Sequence, residues 1–143
     1  MGFGTMRTNY PMQQSISDES QFVKPGAGRP LRPEEAALIR ALVVGVYPAE
    51  ALEAALTESR VADMRDGGMG SVRFLGSGPF SMALVEAQYL DSDGVLVSIA
   101  VNADKQGHLF ELDFWKVDFS PLKRYPNPSD VSARVTSPST RPT

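Results

Sequence analysis

The sequence predicts an α+β fold: two N-terminal helices packed on one face of an antiparallel sheet of about five strands, in two layers. Three observations predict it. Apolar residues between 38 and 56 recur at helical spacing. Those between 80 and 119 alternate as strands do. Two Asp/Gly turns divide that later stretch into runs whose apolar faces meet in only one register.

The elements follow in chain order. Residues 1–28 are rich in Gly, Ser, Gln and Pro without period, and read as a disordered leader. One domain is expected over 29–126. Pro33 suits the first helical position, because its missing N–H would have no helical partner there. Glu34 and Glu35 sit at the positive end of the helix dipole. Leu38, Ile39, Leu42, Val43 and Val46 form the apolar face, and Gly45 and Pro48 end the helix. A second helix opens at Pro48 and Ala49 and stops near Thr57, with Ala51, Leu52, Ala55 and Leu56 apolar.

Two short β runs, Arg60 to Met64 and Ser71 to Leu75, flank Asp66-Gly67-Gly68-Met69-Gly70. Ala62 and Met64 share a face of the first, Val72 and Phe74 a face of the second. Val61, Asp63, Arg65, Arg73 and Leu75 take the other faces. Three longer strands follow. Ala83, Val85, Ala87 and Tyr89 should meet Val95, Val97, Ile99 and Val101, and then Phe110, Leu112 and Phe114. The first turn then closes at Asp91 and Val95, with Gly94 left-handed. The second closes at Ala103 and His108 and sets Val101 opposite Phe110. On the outer face this register aligns Glu86, Ala100 and Glu111, then Gln88, Ser98 and Asp113, then Leu90, Leu96 and Trp115. Residues 127–143, rich in Ser, Thr and Pro, read as a disordered tail.

Composition excludes several chemistries. The chain has no Cys, which removes disulfides, thiolate nucleophiles and zinc-thiolate sites, and fits a cytoplasmic location. A single His leaves no multi-His metal centre within one chain. Net charge is −3 and the longest basic run is Lys123-Arg124, so no nucleic-acid partner is expected. No apolar run reaches the roughly 18 residues that span a bilayer, so no membrane partner is expected either. No cofactor motif is present, and the sequence does not define an oligomeric state.

Three motifs carry a resemblance. Asp66-Gly67-Gly68-Met69-Gly70-Ser71, Asp93-Gly94-Val95-Leu96-Val97-Ser98 and Phe110 to Leu122 (FELDFWKVDFSPL) resemble a small bacterial family known only as a domain of unknown function. The likeness runs from Arg29 to Pro126. It implies a compact bacterial single-domain protein and carries no activity, so no residue roles come with it.

Four candidate sites arise from the residues. The outer sheet face brings together Glu86, Gln88, Ser98, Glu111, Asp113 and Trp115, with Arg65 and Arg73 nearby if the short hairpin joins the sheet. An exposed Trp beside acids anchors protein partners, yet a solvated sheet face carries the same residue types. The sharper version pairs Glu86 with Glu111 as hydrolytic carboxylates about 10 Å apart, or adds Asp113 to hold a divalent cation. The loop of Asp66, Gly67, Gly68 and Gly70 could present N–H groups to an anion, or be a turn capped by its own Asp66. His108 sits at a hairpin end with Asp104 in reach and no Ser in place. Lys116 with Asp118 to Leu122 forms either a docking edge or a terminal strand packing Phe119 and Leu122 on the core. The expected function is a non-enzymatic interaction module with a protein partner, of inhibitor or immunity type. The alternatives are a small-ligand or divalent-metal binder and a paired-carboxylate hydrolase.

Overall fold

The computed structural model describes residues 28–135, so the expected leader over 1–27 and the tail over 136–143 lie outside the described residues. The elements are β1 (Arg29–Pro30), α1 (Pro33–Leu42), α2 (Ala49–Glu58), β2 (Arg60–Asp63), β3 (Val72–Phe74), β4 (Phe80–Leu90), β5 (Leu96–Asp104), β6 (Leu109–Lys116), a 3-10 turn at Pro128–Asp130 and β7 (Ser132–Val135). The fold is α+β, with one antiparallel sheet ordered β1-β2-β3-β6-β5-β4-β7.

Among the described residues the sheet has seven strands, not about five. The added two are its edges. β1 is two residues long and contains Pro30, too short to show a period. β7 is drawn from the polar segment expected to be a disordered tail, and over 127–135 that expectation is corrected by the 3-10 turn and the strand. Its sequence, Ser-Ala-Arg-Val, alternates polar and apolar, but over four residues inside a segment rich in Ser, Thr and Pro so short a period does not stand out. It is held as a strand by backbone pairing with β4 at Val85–Gln88.

The strand order also departs from a plain meander. β3 pairs with β6, through Val72 with Leu112 and Arg73 with Glu111. The link from β3 to β4 therefore passes around the β5–β6 turn. It is fastened there by Gly78 N–H donating to Asp104 Oδ2 (2.8 Å) and Lys105 N–H donating to the Pro79 carbonyl (3.0 Å).

Both helices pack their apolar residues into one cluster with the sheet. Leu38, Ile39, Leu42 and Val43 join Leu52 and Leu56 against Val61, Phe74, Val85, Ile99, Val101 and Leu112. The start of α1 is pinned by its buried acid. Glu35 receives both guanidinium nitrogens of Arg29 at 2.9 Å and the Arg32 N–H at 2.8 Å. Arg29 also reaches Asp63 at 2.8 Å, so β1, α1 and β2 share one ion cluster.

That cluster corrects the faces assigned to β2. Val61 pairs with Phe74 and Asp63 with Val72, so these residues look toward the helices, while Ala62 shares the outer face with Arg73. Both sides of β2 carry apolar residues, and period alone could not choose between them.

The β4–β5 register agrees with expectation: Ala87 faces Ile99, Tyr89 faces Val97, and Gly94 has φ 80°. The β5–β6 register does not. Val101 faces Leu112 and Ile99 faces Phe114, a slip of two residues. The second turn is one residue shorter than expected, closing at Asp104 instead of Ala103, with Asp104 N–H donating to the His108 carbonyl (2.9 Å). A bulge between Asn102 and Ala103 adds the second step. Leu109 thereby enters the core cluster in place of Phe110. Phe110 turns to the outer face, edge-on to Phe80 (5.9 Å) and beneath the Arg73 guanidinium (4.3 Å).

Candidate functional site: the outer sheet face

With the helices on one face, the other face of the sheet is open. The bulge in β6 sets what lies across it. Glu86, Ala100 and Asp113 form one row. Gln88, Ser98 and Trp115 form the next. Leu90 and Leu96 are joined by Val117, whose N–H donates to the Leu96 carbonyl at 3.0 Å. On the other side Ala83, Asn102, Glu111 and Arg73 continue the surface.

A groove of about 550 Å³ follows these rows. Glu86, Gln88, Ser98, Asp113 and Trp115 line it, closed at the sheet edge by Ser132 and Ala133 of β7. Five of the residues singled out on this face therefore meet in one concavity. Glu111 and Arg73 stand beside it, 3.5 Å apart and mostly shielded, with Glu111 also accepting from Asn102 Nδ2 at 2.9 Å. Arg65 is exposed beyond the end of β2, on the parity of Val61 and Asp63 instead of Arg73. It does not join the face.

The row shift also separates the proposed carboxylate pair. Glu86 lies across from Asp113, roughly 10 Å away between strand axes, while Glu111 moves one row along. Among the described residues, no three His, Asp or Glu gather as a metal-holding group.

Asp113 is the electrostatically costly member. Burial pushes its carboxyl up from 3.8, the Glu111 charge pushes it further, and a hydrogen bond with Ser71 Oγ (3.2 Å) opposes both.

The apolar end of the face is more exposed than the sequence implied. Trp115 is 49% exposed and Phe119 67% exposed, with their rings 6.1 Å apart. Leu90 and Val117 add to the patch. Phe119 was expected on the core; instead it is the one non-Gly residue with positive φ (64°) among the described residues. Its conformation is set by a turn in which Phe119 N–H donates to the Lys116 carbonyl, and Asp118 Oδ1 accepts from Ser120 N–H and Oγ. A bulky ring in left-handed backbone, turned outward, is energetically unfavourable twice over.

The Gly-rich loop is occupied by its own acid. Asp66 accepts from Gly68 N–H (3.2 Å), Met69 N–H (3.1 Å) and Ser71 N–H (2.9 Å), so the anion these groups hold is the chain's own carboxylate. Gly68 and Gly70 have φ 84° and 105° and lie against Pro121 and Leu122. His108 is an exposed turn residue, with Nδ1 3.7 Å from Asp104.

Sequence reasoning named Lys116 only with the Asp118–Leu122 segment and Asp91 only as a turn residue, and missed the buried ion cluster that joins them to Asp93. Lys116 follows Leu112 and Phe114 on the core side of β6 and is fully buried. Its ammonium donates to Asp91 (2.8 Å), Asp93 (2.6 Å) and the Pro121 carbonyl (3.1 Å). Asp91 in turn accepts from Lys123 and Arg124 N–H groups at 2.8 and 2.9 Å. Burial works to raise the Asp91 carboxyl, but Lys116 and three backbone donors lower it to about 2. The parity of Lys116 with two core residues was the available signal.

All three sequence motifs converge here. Lys116 N–H donates to Met69 Sδ (3.2 Å), Phe114 N–H to Ser71 Oγ (2.8 Å), and Leu122 N–H to the Gly68 carbonyl (3.0 Å). The motifs build a clamp that seats the segment after β6, and that segment carries Phe119. The profile of a domain of unknown function, DUF6984, matches residues 28–126. The chain belongs to the DUF6984 family. Comparison with curated proteins and with solved structures finds no match. The DUF6984 region ends at Pro126, so it holds the clamp, the groove floor and the Trp115–Phe119 pair, while β7 lies beyond it. No helix among the described residues is long and apolar enough to cross a membrane.

Proposed function

We propose that this DUF6984 chain is a non-enzymatic protein-interaction module, of the inhibitor or immunity type, which docks through its outer sheet face. The exposed Trp115–Phe119 pair carries the reading. Interface anchors are aromatic residues beside a polar rim, and here the rim is the acidic groove of Glu86 and Asp113. The left-handed backbone at Phe119 adds weight, because strain at an outward ring serves no packing purpose. Absence of Cys fits a reducing cytoplasm, and the motif resemblance supports a bacterial source.

The test is affinity capture from the source cell with wild-type bait, Trp115→Ser, Phe119→Asn and a Val44→Ser control, since Val44 is exposed elsewhere. A partner retained by wild type and the control, and lost with the two ring variants, is the expected result. Equal capture by all four baits refutes this docking face.

A second reading has one observation in its favour. The groove is large enough for a small cationic ligand, with Trp115 at one side and Glu86 and Asp113 across its floor. A rise of several degrees in Tm with one compound of a cation panel, absent in Glu86→Gln, would decide for it.

A further inference from the structure

The groove has one wall that belongs to the family domain and one that does not. Its floor is β4, β5 and β6; its edge wall is β7. β4 is the longest strand of the sheet, running from Phe80 to Leu90, and within residues 28–126 its far edge has no neighbour. A long open edge is a template for another strand. β7 covers four of its residues, Val85 to Gln88. Ser132 and Ala133 are exposed, so they add little side-chain burial to the backbone pairing. Glu86 faces Arg134 in that pairing, and Asp113 lies in the same row two strands further in.

We propose that the β4 edge is a strand-accepting site, and that β7 occupies it as an internal stand-in for an extended peptide of the partner. This rests on the interaction-module reading and names the partner's chemistry. The peptide pairs antiparallel with Val85–Gln88. It places Arg or Lys opposite Glu86, where the acid row favours a cation, and small residues on the positions of Ser132 and Ala133. Main-chain hydrogen bonds supply affinity and the acid row supplies selectivity. The internal segment competes at the high effective concentration of a short tether, so an incoming peptide binds weakly until β7 is released.

The experiment measures fluorescence anisotropy of a labelled peptide with the sequence of residues 130–135, added to the full chain and to its Ser132→Pro variant. Asp91 and Val95 form a hydrogen-bonded pair, so by alternation Ala87 bonds toward β5 and Gln88 toward β7, where it pairs with Ser132. Proline at 132 removes a ladder donor and weakens β7 without altering β4. The variant is expected to bind at least about tenfold more tightly than the native chain. The same peptide carrying Arg134→Glu should lose binding, and Glu86→Gln in the protein should reduce the preference between the two peptides. No binding to the variant, or equal affinity for both proteins, overturns the proposal.

Hydrogen exchange on the unmodified chain guards against a variant that misfolds. Amides at the β4 edge should exchange by an opening that leaves β5 protected; exchange only with global unfolding overturns the proposal. A concentration-dependent dimer abolished by Ser132→Pro would mean that β7 is traded between copies, which overturns the peptide assignment. These outcomes are independent of Trp115 and Phe119. A failed strand site with ring-dependent capture leaves the docking face standing, and the reverse result removes the ring anchor alone.

Discussion

Lys116 shows how one buried charge is held. Its ammonium has two carboxylates and a carbonyl as acceptors, so its desolvation is offset only while all stay in place. Lys116→Met leaves Asp91 buried without its counter-charge. It should lower the urea midpoint more than the double variant Lys116→Met/Asp91→Asn does, and equal midpoints would refute the coupling. Acid titration gives the matching sign. Asp91 has its folded pKa lowered from 3.8 to about 2, so its contribution is complete above 3.8 and is lost as pH falls toward 2. Asp91→Asn should flatten the stability profile across that window in a urea series at stepped pH.

Asp113 runs the other way. Its folded carboxyl is raised, so the folded state prefers the neutral form, and the ionised form costs stability above that raised value. Asp113→Asn keeps an acceptor for Ser71 and removes the charge. It should raise Tm at pH 7 and have no such effect below pH 3.8, where the acid is neutral in both states. An acid whose ionised form costs the fold stability is what a face selected for binding would contain.

At the scale of elements, the turns decide the register. Asp91 and Asp104 each accept backbone N–H groups of their own hairpin end, and each turn has a left-handed glycine three residues on, Gly94 and Gly107. The first was legible because its turn chemistry and its apolar faces agree. The second misled because Phe110 is apolar and occupies an alternate position, while the bulge that moves it outward leaves no mark in the residues. What Phe110 finds instead is a ring and a guanidinium on strands far away in sequence, Phe80 and Arg73. The Gly-rich loop was legible as a turn, but its role in seating Pro121 and Leu122 was not, since those contacts are tertiary. Gly68→Ala tests that role. Its φ of 84° disfavours any Cβ by about 1–2 kcal/mol. The new methyl would also meet Pro121 Cβ at 3.4 Å. A loss of that size should appear in denaturant unfolding, and an unchanged midpoint would mean the clamp is looser than its geometry.

For the whole molecule, the two sides of the sheet have separate work. The helix side holds the apolar cluster and the Arg29–Glu35–Asp63 ion cluster. The outer side holds an acid groove beside an exposed apolar end. Glu86, Gln88, Ser98, Asp113 and Trp115 were readable as neighbours because strand parity survives a two-residue slip, which preserves faces while exchanging rows. Leu90 and Val117 were not readable as a patch with Phe119, because the clamp that turns Phe119 outward depends on a buried lysine and two aspartates from another hairpin. A stability–binding opposition follows. Replacing Phe119 with Asn puts a residue tolerant of left-handed backbone at φ 64° and removes an exposed ring. It should stabilise the fold by up to about 1 kcal/mol. If the outer face docks a partner, the same change should weaken that complex. Chemical denaturation and titration of the captured partner read the two effects independently. Stabilisation with undiminished binding would make Phe119 an incidental strain. Destabilisation would show that its ring packs on Trp115 in a way that matters for folding, and would shift the anchor role to Trp115 alone.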